Sequence, residues 1–234
     1  MDARQQNLIP AFYPTPRQLS GIKAVLFVLA LLPVMRLVAA TLLDRLGANP
    51  IEFITRSTGD WTLYFLCLTL AVTPLRHLSK WHWLLRLRRM LGLFAFFYAC
   101  LHFTTFLWFD HFFDLDEMWR DVLKRPFITV GFSAFVLLIP LAVTSTNGMV
   151  RRLGGKRWQW LHRMVYLIAA LGILHFWWMK AGKHDFAQPI LFGMIVALLL
   201  LLRLYWRLQR LQAERKQALG SPAGCGGQRR RTSY

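Results

Sequence analysis

The chain has 234 residues, 56% of them hydrophobic, 15% aromatic and only 17% charged, a balance that belongs to polytopic membrane proteins rather than to a water-soluble core. Its formal net charge of +18 would suit nucleic acid, but the 29 Lys and Arg lie in short clusters between apolar runs instead of forming a solvated stripe, so nucleic acid is excluded as a partner. Cys67, Cys100 and Cys225 have the spacing of neither a disulfide framework nor a zinc site and receive no role.

Residues 1–20 are polar and Pro-containing, and the apolar run after them lacks a cleavage site, so a cytoplasmic N-terminus without a signal peptide is expected. The first span falls at 21–41, with Pro33 as a kink candidate and Arg36 as an unusual charge inside it. Residues 43–60, with Gly47, Asn49, Pro50 and Gly59, read as an external loop with one helical turn. A second span covers 61–75. The basic stretch after it holds Arg76, Lys80, Arg86, Arg88 and Arg89, with Trp81 and Trp83 suited to the headgroup level, and reads as a cytoplasmic loop.

The third span is expected at 90–109 and leads into an acid-rich connection with Asp110, Asp114, Asp116, Glu117 and Asp121, read as a solvated loop in preference to a docking surface. The fourth span, 127–145, ends in the polar, basic turn TSTNGMVRRLGGKR. A fifth follows at 158–178, within one mostly apolar run, and a sixth at 189–206. The cytoplasmic tail, 207–234, extends helically into water before a Gly/Ser/Pro-rich end expected to be disordered. Alternate connections carry 21 and 7 of the Lys and Arg, with Arg36 completing the 29. That bias puts both termini in the cytoplasm with six crossings between them. The expected fold is an all-α, six-helix membrane bundle.

Depth then picks out the histidines. His102 lies thirteen residues after Arg89, and His175 thirteen after His162, each a rise of roughly 20 Å. His102 and His175 therefore share a level near the external face, on different helices, as a bis-histidine haem requires. Gly172, one turn before His175, would leave room for the flat macrocycle. His162 sits near the cytoplasmic face, where the third helix offers Arg88 and Arg89 instead of a histidine. It is a candidate ligand of a second haem with a non-histidine partner, or an interfacial imidazole, and the arginines are candidates for holding propionates or another anion. His77, His82, His111 and His184 are read as solvated. There is no G-x-G-x-x-G after a strand and no soluble α/β segment, so the chain has no nicotinamide or flavin domain of its own. Its electrons must come from a lipid-soluble quinol or from another protein.

The segments RLRRMLGLFAFFYACLHF, TSTN, LGGKRWQWLHRMVYLIA and LHFWW resemble the MsrQ (formerly YedZ) family, bacterial haem-binding membrane subunits of the periplasmic methionine sulfoxide reductase system. That family is similar to the ferric reductase and NADPH oxidase transmembrane domain without its dehydrogenase module. The resemblance covers nearly the whole chain apart from the first twenty residues and the tail. It implies that His102, His162 and His175 are haem-associated and that Arg88 and Arg89 matter to function. It further implies haem b, one per chain with a second left open, and an inner-membrane, lipid-embedded protein. Electrons would pass from the quinone pool to a periplasmic molybdenum-cofactor partner that reduces methionine sulfoxide in oxidised proteins. Flavin mononucleotide is linked to the family by resemblance alone. Two other readings stand beside this one: a ferric or cupric reductase-like carrier, and a non-redox membrane anchor.

Overall fold

The computed structural model describes residues 13–182 and 184–220. Cys225 and the Gly/Ser/Pro-rich end of the tail lie outside them. The described residues form nine α-helices and no strand, so the chain is all-α. Helix α1 (Pro16–Leu42) starts at a reciprocal cap in which the Gln18 N–H donates to the Thr15 hydroxyl at 3.3 Å and the Thr15 N–H to the Gln18 side chain at 2.8 Å. Helix α2 (Pro50–Ser79) begins well inside the stretch read from sequence as an external loop. Its cap explains the difference: Asn49 accepts the Glu52 N–H, Pro50 takes the first helical position, and Glu52 pairs with Arg56 one turn on.

Helix α3 (Leu85–Thr105) continues through a π-type turn, Phe106–Asp110. Helix α4 (Leu115–Lys124), capped by Asp114, stands where a solvated loop was expected. One residue, Arg125, separates it from α5 (Pro126–Val143). The basic turn after α5 contains α6 (Asn147–Leu153), capped by Thr146. The run read as one fifth helix is divided: α7 (Gly155–His162) and α8 (Val165–Ala181) meet at Arg163–Met164. Helix α9 (Ala187–Gly220) is 34 residues long.

Among the described residues, five stretches are long and apolar enough to cross a membrane: Pro16–Leu42, His82–Asp110, Pro126–Val143, Gly155–Ala181 and Ala187–Lys216. This is a multi-pass membrane protein. Helix α2 has the length, 30 residues, but carries Arg56, Ser57, Thr58 and Asp60 toward one end and Arg76 and His77 at the other. The bundle closes on itself, with α2 against α3, α3 against α5, α5 against α8, α8 against α9, and α9 back against α2. Helix α1 leans on α2 from outside and buries only Leu19 and Ala30.

Lipid is as apolar as leucine, so packing and hydrogen bonds hold such a bundle together. Ala95, Ala99, Ala134 and Ala169 let the backbones approach around Leu70 and Ile168, which are wholly enclosed. The buried Tyr98 hydroxyl donates to the Ala30 carbonyl at 2.7 Å, in the turn before Pro33. Val25, Phe27, Val28, Leu32 and Met35 of α1 stay exposed, as lipid-facing residues do. His111, read as solvated, is only 4% exposed, because α4 folds back over it and brings Asp121 to 3.5 Å from Nε2. His77 is partly covered and stacks on Trp206 at 4.6 Å, whereas His82 and His184 are exposed.

Candidate haem and arginine-lined sites

His102 on α3 and His175 on α8 face each other across the closed bundle, their ring centres 6.2 Å apart and their planes at 72°. Each imidazole is fixed through Nδ1. That of His102 donates to the Thr55 carbonyl on α2 at 2.9 Å, and that of His175 to the Phe127 carbonyl on α5 at 2.7 Å. These bonds put the proton on Nδ1 and direct the Nε2 lone pair elsewhere, the tautomer a metal-binding histidine needs. Among the described residues neither Nε2 has a hydrogen-bond partner.

The two halves of this arrangement repeat. One turn after Thr55 stands Gly59, and one turn after Phe127 stands Gly131. A Cβ on Gly59 would lie 3.1 Å from Cε1 of His102, and a Cβ on Gly131 2.7 Å from Nδ1 of His175. Each histidine therefore rests on a bare stretch of a neighbouring helix and bonds the carbonyl one turn earlier. Gly172 has nothing within 4 Å of where its Cβ would be, so the histidine-bearing face of α8 is open one turn before His175.

The donor set fits a haem. An imidazole nitrogen binds a metal at about 2 Å and its ring centre lies about 1.1 Å behind, so two imidazoles that shared one iron would have their ring centres about 6.2 Å apart. The observed separation is 6.2 Å.

Arg88, Arg89 and His162 come together elsewhere. They line a cavity of about 260 Å³ with Thr69, Ser145 and Trp158. His162 closes α7, stacks on Trp158 at 3.9 Å and bonds the Trp158 carbonyl through Nδ1 at 3.1 Å, with Nε2 3.5 Å from the Ser145 hydroxyl. Arg89 donates to the Asn147 side chain and lies 5.9 Å over the Trp158 ring. Among the described residues no second histidine lines this cavity, and neither arginine pairs with a carboxylate. Anions and hydrogen-bond acceptors suit such a site.

Three contributors escape a reading of the sequence. Gly59 and Gly131 lie on helices other than those carrying the histidines. The third, Arg203 on α9, donates to the Leu70 carbonyl and, at 2.9 Å, to the Tyr166 hydroxyl. Pro74 has no N–H to give Leu70, so the arginine supplies the missing donor. The available signals were an arginine inside LLLLLRLYW and a proline inside α2.

Residues 58–173 match the family model described as ferric reductase like transmembrane component. The protein of Herminiimonas arsenicoxydans named protein-methionine-sulfoxide reductase heme-binding subunit MsrQ is 74% identical over 214 residues, 92% of this chain and 97% of its own. Like-named proteins of Ralstonia nicotianae and Azospira oryzae are each 58% identical, covering 85% and 81% of this chain and 91% and 81% of their own. Identity at this level over nearly the full length of both partners is that of close relatives, and the chain belongs to the MsrQ family.

Proposed function

We propose that this chain is a haem b electron-transfer subunit that takes electrons from the quinone pool and delivers them to a periplasmic molybdenum-cofactor methionine sulfoxide reductase. The observation that carries the reading is the facing pair His102 and His175, each tied by Nδ1 to a carbonyl and with ring centres 6.2 Å apart, a separation at which both could hold one iron. Haem, when bound, supplies a one-electron carrier. The work of the protein is to hold two neutral imidazoles rigidly, with Thr55, Phe127, Gly59 and Gly131 setting their rotamers. A one-haem stoichiometry goes with this pair; a second haem at His162 would have a single protein ligand.

The bacterial inner membrane is the proposed location, with both termini cytoplasmic. Helix α2 is then the sixth crossing, about 45 Å long at 1.5 Å per residue, which lets its polar first turns reach the external face. The cavity of His162, Arg88 and Arg89 opens on the cytoplasmic half, and we assign electron entry to it. A quinol oxidised there gives up two electrons and two protons; Nε2 of His162 can take up one proton, with the Ser145 hydroxyl 3.5 Å away as a hydrogen-bonding group, and the other proton leaves to water on the cytoplasmic side. At the partner, two electrons and two protons convert a sulfoxide to a thioether and water.

The test is a reduced-minus-oxidised visible spectrum of the purified protein with haem quantified by pyridine haemochrome. A b-type signal at one haem per chain supports the pair. Folded but colourless protein, produced with adequate haem supply, would replace this reading with that of a membrane anchor. Reduction of ferric or cupric ions without any protein partner would favour the metal-reductase reading.

A further inference from the structure

In the topology proposed above, on which this inference rests, α4 joins two spans on the external side, and its residues sort sharply by direction. At 3.6 residues per turn Leu115, Met118, Trp119, Val122 and Leu123 share one arc of about 140°, and Asp116, Glu117, Arg120, Asp121 and Lys124 fill the rest. One edge of the apolar arc is covered by protein: Met118 and Val122 are 9% and 3% exposed. The adjacent edge is largely exposed, with Leu115, Trp119 and Leu123 at 63%, 51% and 65%. Phe112, Phe113 and Trp108 extend that exposed surface toward the end of α3.

The chain fixes the level of α4. It is tied at one end to the span that closes at Asp110 and at the other, through Arg125, to the span that opens at Pro126. It does not project into water, since the Thr129 hydroxyl donates to the Val122 carbonyl and the Trp119 ring packs edge-on against Phe132 at 6.2 Å. Phe132 lies six residues into α5, about 9 Å of rise below its start.

We propose that α4 is an interfacial helix whose exposed apolar edge is seated in the outer leaflet, with phospholipid as its occupant. The bundle takes one edge of the arc, acyl chains the next, and water the charged remainder, so each surface of the helix meets a medium of its own polarity. Trp119 holds the position favoured by tryptophan at the headgroup level, and Arg120 and Lys124, along the polar arc, can reach lipid phosphates.

Nitroxide labels at Leu115→Cys and Leu123→Cys test this, with Asp116→Cys and Glu117→Cys as controls. The host is the full chain with Cys67, Cys100 and Cys225 changed to Ser, reconstituted in phosphatidylethanolamine–phosphatidylglycerol vesicles. The relative accessibility to oxygen and to a nickel chelate should put labels 115 and 123 about 5–10 Å below the phosphates and labels 116 and 117 in water. Labels 115 and 123 as open to the chelate as the controls would overturn the proposal in favour of a solvated surface. Low accessibility to both reagents would overturn it in favour of a protein partner or a second copy. Brominated-lipid quenching of the unlabelled chain provides a second readout: Trp119→Phe should remove part of the quenched tryptophan emission, and an unchanged quenched fraction would count against seating.

Discussion

Gly131 and His175 are so close that no side chain fits between them: a Cβ at 131 would stand 2.7 Å from the ring nitrogen that bonds Phe127. Gly131→Ala must therefore push the imidazole off its carbonyl or part α5 from α8, an overpacking cost of about 1–3 kcal/mol. Haem content measured by pyridine haemochrome should fall in this variant. Gly59→Ala, with 3.1 Å to His102, should do the same more mildly. Equal haem in both variants and wild type would remove the glycines from the site.

His102→Ala and His175→Ala should each insert in the membrane and lose the bis-histidine haem signal, since one remaining imidazole leaves an axial position open. His162→Ala should keep that signal, because His162 belongs to a cavity formed by other residues, and should instead slow reduction by quinol. Visible and electron paramagnetic resonance spectra of the three variants, with stopped-flow reduction, separate the two roles.

Arg203→Leu leaves the Leu70 carbonyl without a donor inside the bundle, at a cost of about 1–3 kcal/mol. Pro74→Ala restores an N–H at the position where a regular helix would donate to Leu70. The double variant should then recover much of the thermal stability lost by Arg203→Leu alone in detergent. A double variant no more stable than Arg203→Leu would show that the arginine acts elsewhere.

Lys180, buried at the end of α8, donates to Asp185 at 3.0 Å, and that hydrogen bond, followed by the lysine charge, holds the Asp185 carboxyl below its ordinary range. A depressed folded-state pKa contributes stability above the unfolded value that is lost as pH falls through the folded one. Stability should thus decline on acidification below the usual carboxylate range of about 4. Asp185→Asn should be the less stable protein at neutral pH, with the difference vanishing in acid. Parallel pH profiles of the two melting temperatures would refute the assignment.

Counting rise from Arg89 was enough to put His102 at the level of His175, because a helix converts sequence number into depth. Direction was harder to read. Which face an imidazole presents, and what it meets there, depends on the neighbouring helix, so Gly59 and Gly131 carried no mark in the sequences around the histidines. The division between α7 and α8 was hidden because Arg163–Met164 contains neither glycine nor proline. The acid-rich stretch was read by its charge, although Met118 and Val122 already had the spacing of a buried helical edge, and so His111 was assigned to water instead of to the space beneath α4. Asn49 and Pro50 signalled a helix start that polarity alone obscured.

The repeated pattern of glycine, carbonyl and histidine has a bearing on how the protein is made. The first half-site is complete once α2 and α3 have left the ribosome, and the second only after α8 has followed α5. During the interval His102 is already clamped by Thr55 but has no counterpart. A cofactor needing both rings can lodge only near the end of synthesis, where it ties the early hairpin to the late one. Cells short of that cofactor should then accumulate chains whose two halves have inserted yet part readily, and these would be the natural targets of membrane quality-control proteases.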